Sequence, residues 1–447
     1  MLVTEADAYH FLGRIGFAPL PSDVNHVVGR DQADVVDEIL NLNRDLPATP
    51  DRLLVADRMN FQANSQNLGW WLNRMIQSRI TGATPSTPDP LLEKLTMFWH
   101  GHFATEFPGV DDALLMFEQN QILRAGAFGD FAQLCTDISL HGAMLIYLNN
   151  ESNVQGFEQE NFARELMELF TMGVGNFTEN DVVEMARAWT GHGIIGYDPA
   201  LGGRNGTYQF YPDLHDDGQK TIFGINANWD GPDTITEIVR GVRQQATANF
   251  ISTKLWRFFI NGAPPPGAIE QLAAAFIAAD MTIKPLMRAL LLRPEFWAPE
   301  NRRALVKTPS QYAVDLYRCI SLLFVDTEAP YFLAPMGQVL FDPPNVAGWG
   351  TNGYWLSTAT MWGRAKFAAN RRWAVANEDS DFLQELRDMD PATGTAHLLQ
   401  TFRLHEVSAA TTNAIESWFA STKEATPWAL APVGISVTAL SPEFQVI

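Results

Sequence analysis

The chain has 447 residues, of which 31 are Lys or Arg and 51 are Asp or Glu, so it carries a formal net charge of −20 at pH 7. A surface this acidic repels phosphate groups, which disfavours partners such as nucleic acid and anionic lipid. Apolar residues make up 46% of the chain and charged residues 18%, so a large core can form and the composition is not that of a disordered protein.

Helical periodicity dominates the sequence. Residues 22–43 combine a capping Ser22 with apolar positions three and four apart, and they are interrupted at Gly29. A second amphipathic stretch covers 50–80, and the segment LLEKLTMFWHGHF predicts a helix that begins near Pro90. Further helices are predicted at 111–126, 129–139, 158–172, 179–190, 232–244, 246–260, 266–278, 282–293, 308–325, 357–377, 381–388, 393–402 and 406–421.

Two regions break the helical pattern. Residues 196–225 carry two short aromatic or β-branched runs, Tyr208–Tyr211 and Thr221–Phe223, on either side of turn-forming residues, which predicts an inserted β-hairpin or β-ribbon. Residues 328–354 are rich in Pro, Gly and Asn and predict an irregular loop that also carries tryptophans. The predicted fold class is therefore mainly α, a large multi-helix body with a small β-hairpin and one irregular loop.

We expect one large helical domain over residues 1–370 and a C-terminal helical extension over 371–447 packed on it. No run of about 18 uncharged apolar residues occurs, so no membrane insertion is predicted. The N-terminus has acidic residues where a secretory leader has a basic region and an apolar run, so the sequence predicts a cytoplasmic protein.

Cys135 and Cys319 belong to no ligand cluster, which favours two buried thiols over a zinc, iron–sulfur or disulfide scaffold.

The segment 158–175 is the most informative for chemistry. At about 100° per residue, Glu160, Arg164, Glu165 and Glu168 fall within one arc of roughly 140° on a regular helix. This arc is either a solvated face with i,i+4 ion pairs or a partly buried ion network beside a cleft. The three glutamates could instead bind a hard metal ion. We expect the buried network, in which Glu165 or Glu168 acts as acid or base and Arg164 orients the pair.

Two histidines stand close together in the segment FWHGHF. On a continuous helix the side chains of His100 and His102 point about 200° apart and cannot bind one ion together. Gly101 can end a helix in the left-handed conformation, so we expect a break there that lets both imidazoles converge. His100 is then a candidate assisting group in catalysis, and His100 with His102 is a candidate site for a divalent metal. The alternative is one histidine at the helix end and one packed among aromatic rings.

Two further segments supply candidate substrate-binding residues. His215 and Asp217 occur in LHDDGQK, which fits either an imidazole oriented by a carboxylate or an ordinary hairpin turn. Asn345, Trp349 and Trp355 lie in a loop that two prolines stiffen, and flat indole faces suit stacking on sugar rings or other flat ligands. The same loop could instead fill the helical core.

Distinctive segments run in order through nearly the whole chain. They are HFLGRIGFAPLPSDV at 10–24, LTMFWHGHFAT at 95–105, MLIYLNN at 144–150, ENFARELMELFTMGVGNFTENDVVEMARAWTG at 160–191, HDDGQKTIFG at 215–224, FISTKLWRFFI at 250–260, DPPNVAGW at 342–349 and SPEFQV at 441–446. Together these segments resemble the bacterial family filed as domain of unknown function 1800. The chain departs from the family pattern at His141-Gly142, where Asp-Pro is usual, and at His192, where Trp is usual.

The resemblance implies a mainly helical fold and a bacterial origin, and it supplies no reaction. Members of the family often carry export leaders, which implies an exported or periplasmic location in place of the cytoplasmic one. Genes of family members often lie beside those of a sulfatase-like family of unknown function, which implies that the members act on an extracellular or envelope polymer.

Three functional hypotheses remain open. The first is an enzyme with a polar cleft lined by acidic residues and histidines that performs acid–base hydrolysis of a glycan or envelope polymer. The second is a metal-dependent hydrolase or oxidoreductase that uses His100, His102 and a glutamate. The third is a non-catalytic binding or assembly protein whose partner is a carbohydrate or another protein.

The sequence lacks four common catalytic patterns: the P-loop, HExxH, GxSxG and a strand-initiated GxGxxG. Nucleotide-dependent transfer, zincin proteolysis and α/β-hydrolase chemistry therefore lack their usual signatures.

Overall fold

The computed structural model describes residues 1–42, 45–50, 61–198, 203–204, 206–325, 327–375 and 381–447. Within these residues, 23 α-helices make up most of the chain, which confirms the mainly α fold class. The helices before the β region are α1 (Glu5–Ile15), α2 (Pro21–Val27), α3 (Gln32–Leu40), α4 (Phe61–Gln77), α5 (Pro90–His102), α6 (Phe107–Val110), α7 (Ala113–Gly126), α8 (Phe131–Ser139), α9 (Gly142–Tyr147), α10 (Glu160–Glu165) and α11 (Glu179–Ala188). The helices after it are α12 (Gly231–Arg240), α13 (Gln244–Phe259), α14 (Ala268–Ala278), α15 (Ile283–Leu291), α16 (Pro294–Trp297), α17 (Pro309–Cys319), α18 (Ala329–Leu333), α19 (Thr358–Val375), α20 (Asp381–Asp388), α21 (Pro391–Thr401), α22 (Ala409–Ala425) and α23 (Leu430–Ala439).

Local sequence signals explain where several helices begin and end. The periodicity does not predict α1, although Thr4 and Asp7 form a capping box at its start. The segment 22–43 forms two helices, α2 and α3, and Gly29 between them has a φ of +80°, as the predicted interruption requires. Helix α5 begins at Pro90 as predicted, since the side chain of Asp89 accepts hydrogen bonds from the first free backbone N–H groups.

The β structure of the described residues consists of three antiparallel pairs of short strands. They are β1 (His192–Ile194) with β4 (Tyr208–Phe210), β2 (Tyr197–Asp198) with β3 (Gly203–Arg204), and β5 (Lys220–Ile222) with β6 (Ile225–Ala227). The β region therefore lies where the sequence predicts it, with a slightly wider extent.

The two predicted strand runs are strands, but they do not pair with each other. The reason is a two-residue turn at Phe223 and Gly224, which have φ angles of 53° and 81°. Two successive positive φ angles are typical of a type I′ turn, which returns the chain at once to pair Ile222 with Ile225. The run that ends at Phe223 therefore pairs with the residues after it, and Tyr208–Phe210 pairs with β1 instead.

Two large apolar clusters form the core. The first joins helices between α1 and α16, and the second joins α4, α7 and α17–α19 with Ile435, Ala439 and Phe444 from the C-terminal segment. A third, smaller cluster lies among α20–α23. The predicted domain boundary at residue 370 falls inside α19, and the division into a body and an extension stays a prediction. None of the helices described is long and apolar enough to cross a membrane.

The predicted loop over 328–354 begins with α18 and a short 3₁₀ turn, and its irregular part after residue 336 packs onto the C-terminal end of α5. Gly348 has a φ of +78°, and a Cβ at this position would lie 2.3 Å from the carbonyl oxygen of Gly101. The ring of Trp349 follows and packs on His100, with ring centroids 5.6 Å apart. This close approach joins two segments that the sequence keeps about 250 residues apart, and it requires a glycine in the loop.

Gly348→Ala should destabilise the protein, because the added methyl group meets the backbone of α5 and an L side chain resists this positive φ. We expect the free energy of unfolding to fall by roughly 2–4 kcal/mol. Gly353→Ala is the matched control in the same loop, since a Cβ there meets no atom within 4 Å. Its stability should stay within about 0.5 kcal/mol of wild type. Urea denaturation measures both variants, and equal stability would contradict the packing of the loop on α5.

Candidate functional site

The histidines of α5 do not converge. The helix continues through Gly101 to His102, and Phe103 is its C-cap, so the predicted break at Gly101 is wrong. His100 Nε2 accepts a hydrogen bond of 2.9 Å from the backbone N–H of Phe341. Burial lowers the pKa of His100 to about 3, which keeps the imidazole neutral and suits this role as an acceptor.

Both ring nitrogens of His102 are already engaged by protein groups. Its Nδ1 accepts a hydrogen bond from Lys254 Nζ at 2.9 Å, which leaves the Nε2–H to donate to the carbonyl oxygen of Phe170 at 2.8 Å. Burial, reinforced by the charge of Lys254, holds the pKa of His102 well below its ordinary value. The unbroken helix and these contacts remove the geometry on which a metal shared by His100 and His102 depends.

A cavity of about 260 Å³ lies between α5, α13 and the loop over 328–354. Helix α5 lines it with Lys94, Phe98 and His102, which stand at positions i, i+4 and i+8 and share one helix face. Helix α13 contributes Lys254 and Arg257. Among the described residues that line the cavity there is no Asp or Glu side chain, so Lys94, Lys254 and Arg257 stand among aromatic, aliphatic and neutral polar groups.

The two predicted tryptophans also line this cavity. Trp349 is partly exposed, whereas Trp355 is buried and its indole N–H has no hydrogen-bond partner within the described part of the chain. Asn345 is exposed and outside the cavity, where its side chain accepts a hydrogen bond of 2.9 Å from a backbone N–H of its own loop. The structure therefore brings Trp349, Trp355 and His102 together and leaves Asn345 and His100 outside.

Lys94 is buried among aromatic rings beside the cavity. Its Nζ donates to the side-chain oxygen of Gln311 and lies 5.4 Å and 5.7 Å from the ring centroids of Phe17 and Phe258. Burial lowers the pKa of Lys94 to about 7, and the carboxylate of Asp315 opposes this shift only in part. The amine therefore changes its charge close to neutral pH.

Other charges near the cavity do not neutralise the lysines. Asp315 pairs with Lys307 at 2.9 Å, and the charges of Lys307 and Arg14 reinforce the lowering of the pKa of Lys94. Lys254 lies 5.0 Å from the ring centroid of Phe250, and burial lowers its pKa to about 8. Both lysines can thus exchange a proton in the neutral range.

Arg164 does not contact Glu165 or Glu168. Its guanidinium pairs with Glu179 at 2.7 Å and with Glu160 at 3.3 Å. These three side chains, Arg164, Glu179 and Glu160, are 32%, 78% and 47% exposed. The predicted network of Arg164 with Glu165 and Glu168 is therefore wrong in its partners, and the contacts that Arg164 makes are ion pairs with exposed carboxylates, which contribute little to stability.

A partner from the next helix explains the difference. Glu179 at the start of α11 pairs with the guanidinium of Arg164, while α10 ends at Glu165 and the chain continues as a π-helical turn over Leu166–Thr171. The helical period does not display this contact, because Glu179 is 15 residues further along the chain.

The carboxyl groups of Glu165 and Glu168 remain chemically distinct. Burial and then the charge of Glu168 raise the pKa of Glu165, and the nearby charge of Arg164 opposes them. Burial, Glu106 and Glu165 raise the pKa of Tyr147 to about 12. Neither glutamate lines the 260 Å³ cavity. The catalytic assignment of Glu165, Glu168, Arg164 and His100 stays a prediction.

His215 lies in a different place, beside His192 and Asp230. His192 Nε2 and Asp230 Oδ1 are 2.7 Å apart, and His192 Nδ1 is 3.0 Å from the hydroxyl oxygen of Tyr208. His215 Nδ1–H donates to the carbonyl oxygen of Thr190 at 2.8 Å. One potential metal-ligand atom from each of His192, His215 and Asp230 lies within 4.8 Å of the others, and no second group of this kind occurs among the described residues.

Asp217 belongs to the loop that follows His215. The loop is built around the buried ammonium of Lys220, which donates to the backbone carbonyl oxygens of Asp216, Gly218 and Trp229. Asp217 neither lines the cavity nor belongs to the histidine cluster. Of the predicted substrate-binding set, Trp349 and Trp355 therefore line the cavity and His215 joins the histidine cluster, whereas Asn345 and Asp217 belong to neither.

A buried ion network does exist, on α5 and not on α10. Glu93 is fully buried and pairs with Arg74 and Arg124 at 2.9 Å each, and the indole N–H of Trp71 donates to it at 2.9 Å. Burial raises the pKa of Glu93, but the two guanidinium charges more than offset this, so the pKa lies below its ordinary value. An acidic residue inside the apolar run LLEKLTMFW is the sequence signal for this network.

The comparison with protein families identifies the chain. A model described as "Protein of unknown function (DUF1800)" matches residues 10–446, so the chain belongs to the DUF1800 family, as its resemblance implied. No curated protein and no solved structure matches it. The family description names no activity, so the side chains of the candidate site are the evidence on function.

Glu93→Gln should strongly destabilise the protein, because it leaves the buried guanidinium groups of Arg74 and Arg124 without their carboxylate. We expect a loss of roughly 3–5 kcal/mol in the free energy of unfolding. Glu179→Gln is the matched control, since it removes an exposed carboxylate from Arg164 and should change the free energy of unfolding far less than Glu93→Gln does. Urea denaturation of both variants tests the difference, and similar losses would show that the Glu93 network is not a buried one.

Proposed function

We propose that this member of the DUF1800 family binds an anionic ligand with a flat or apolar body in the cavity between α5 and α13. One observation carries the proposal. Lys94, Lys254 and Arg257 line the cavity without any carboxylate side chain, in a chain whose net charge is −20. Cationic donors in a low-dielectric site form strong hydrogen bonds to carboxylate, sulfate or phosphate oxygens.

The cost of burying these amines also favours a charged ligand. A fall in the pKa of Lys94 from 10.5 to about 7 corresponds to a penalty on the order of 5 kcal/mol for its ammonium form. A bound anion relieves this penalty by pairing with the ammonium group. Buried titratable groups with perturbed pKa values that line a cavity are more typical of functional sites than of structural cores.

The aromatic wall suits the uncharged part of the ligand. Trp349, which is partly exposed, offers a flat face for stacking, and the buried ring of Trp355 forms part of the cavity wall. A glycan that carries carboxylate or sulfate groups meets both requirements, and it agrees with the hypothesis of an envelope polymer.

Lys254 adds a group that can transfer a proton. Its pKa of about 8 lies in the range where a lysine can act as a general acid or base, and its hydrogen bond to His102 holds the amine in place. Binding at this cavity is therefore compatible with an enzyme and with a non-catalytic binding protein.

Acid–base hydrolysis by Glu165 and Glu168 is the second candidate. Burial and the nearby charge of Glu168 raise the pKa of Glu165, and a carboxyl group with a raised pKa beside a second one is typical of acid–base sites. This pair lies outside the cavity, so it requires a substrate long enough to reach beyond the walls of α5 and α13.

The charge preference of the cavity can be tested with two probes of the same shape. 2-Naphthoate should bind at least about tenfold more tightly than the neutral naphthalene-2-carboxamide, since a charge-assisted hydrogen bond contributes about 1.5–3 kcal/mol. Lys254→Met should remove most of this preference, whereas Lys366→Met removes an exposed lysine and should preserve it. Isothermal titration calorimetry measures all six affinities, those of the two probes for wild type and for each variant. Equal binding of the two probes to wild type would contradict the proposal.

The affinity for 2-naphthoate should also fall as the pH rises from about 6.5 to about 9. The ammonium forms of Lys94 and Lys254 bind the anion, and they lose their protons near pH 7 and 8. The anion stabilises the charged amines, so binding near pH 8 should take up protons. Titrations in buffers with different ionisation enthalpies measure this uptake. An affinity that is constant across the range would show that neither amine binds the probe.

A further inference from the structure

We infer that His192, His215 and Asp230 form a binding site for a divalent transition-metal ion, separate from the cavity and independent of the proposed function. One donor atom of each residue lies within 4.8 Å of the other two. Two imidazoles and one carboxylate are a donor set that suits Zn²⁺, Co²⁺ or Fe²⁺, whereas Mg²⁺ and Ca²⁺ prefer oxygen ligands.

Hydrogen bonds fix the orientation of both imidazoles. The Nδ1–H of His215 donates to the carbonyl oxygen of Thr190, so its Nε2 carries the free lone pair. The Nδ1 of His192 contacts the hydroxyl of Tyr208, and its Nε2 faces Asp230 at 2.7 Å. Metal-binding histidines commonly have such a contact on the second nitrogen. A bound ion would take the place of the proton between His192 and Asp230.

The fold brings the three side chains together from separate segments. His192 begins β1, His215 follows a short 3₁₀ turn, and Asp230 is the N-cap of α12. Gly191 has a φ of +77°, and a Cβ there would lie 2.7 Å from the carbonyl oxygen of Tyr211. The glycine lets the segments of the two histidines approach, so the scaffold fixes the ligands independently of the ion.

One side of the cluster is accessible to solvent. His192 is 2% exposed and Asp230 is 45% exposed, so the cluster has a buried side and a side that solvent reaches. Lys220 is the nearby cation, and its ammonium is held by backbone carbonyl oxygens. The carboxylate of Asp216 pairs with Arg187 at 2.7 Å and does not complete the ligand set. Three protein ligands and access to solvent resemble a catalytic more than a closed structural metal site.

The test uses the full chain without an affinity tag, after dialysis against EDTA and then against chelator-free buffer. Zn²⁺ binding is measured by calorimetry, and Co²⁺ is added to a second sample to record its visible absorption spectrum. The variants are His215→Ala and Asp230→Asn, and asparagine preserves the helix cap at the second position. His397→Ala is the control, because His397 also contacts a carboxylate, that of Glu385 at 3.5 Å, and belongs to no group of three potential ligands.

Wild type and His397→Ala should bind one Zn²⁺ ion per chain, and Co²⁺ should give a spectrum of low-symmetry coordination. Each of the two ligand variants should bind at least about 100-fold more weakly, since loss of a ligand exceeds the effect of a lost outer contact. Zn²⁺ should also raise the melting temperature of wild type but not that of Asp230→Asn, which provides a readout even if His215→Ala folds poorly. Absence of Zn²⁺ binding to wild type would overturn the proposal, and so would unchanged affinity in Asp230→Asn.

Discussion

The burial of α5 is the constraint on which the rest of the structure depends. This helix lies between the two large apolar clusters, yet it carries Glu93, Lys94, His100 and His102, all of which are buried. A buried polar or charged group is costly unless it finds a partner, so each of these side chains requires a specific neighbour from a distant segment. Helices α4 and α7 supply the partners of Glu93, and α17 supplies that of Lys94. His100 accepts from a backbone N–H within residues 328–354, and α13 supplies the lysine that contacts His102.

The same constraint explains why a cationic cavity exists in an acidic protein. One face of α5 carries Lys94, Phe98 and His102 and lines the cavity. Helix α13 contributes Lys254 and Arg257 to the same cavity. Two helices that face each other with basic and aromatic side chains cannot pack as tightly as apolar ones, because the ammonium groups have no carboxylate side chain between them. The result is an open space with anion-binding groups and lowered lysine pKa values. The glycine contact between the loop over 328–354 and α5 then places the tryptophans in the same wall.

Periodicity and capping predict most helices of this fold, because those signals are local. The pairing of strands, the partners of ionisable groups and the composition of the site depend on contacts between distant residues, which a sequence does not display. Arg164 pairs with Glu179 of α11 and not with Glu165 or Glu168, and the Phe223–Gly224 turn changes the strand pairing. Glu93 illustrates a signal that could have been used, since a charge inside an apolar helical run demands a buried partner. By contrast, His192 and Asp230 are 38 residues apart, and only the folded chain brings them together.

Helices α5 and α13 hold Lys94 and Lys254, whose amines lose their protons near neutral pH. Nuclear magnetic resonance of protein labelled with ¹³C at the lysine ε carbon measures this directly, with Lys94→Met and Lys254→Met to assign the two signals. One lysine should titrate near pH 7 and one near pH 8. Saturation with 2-naphthoate should move both titrations to higher pH. Titration of every lysine signal near 10.5, with or without the probe, would contradict the account.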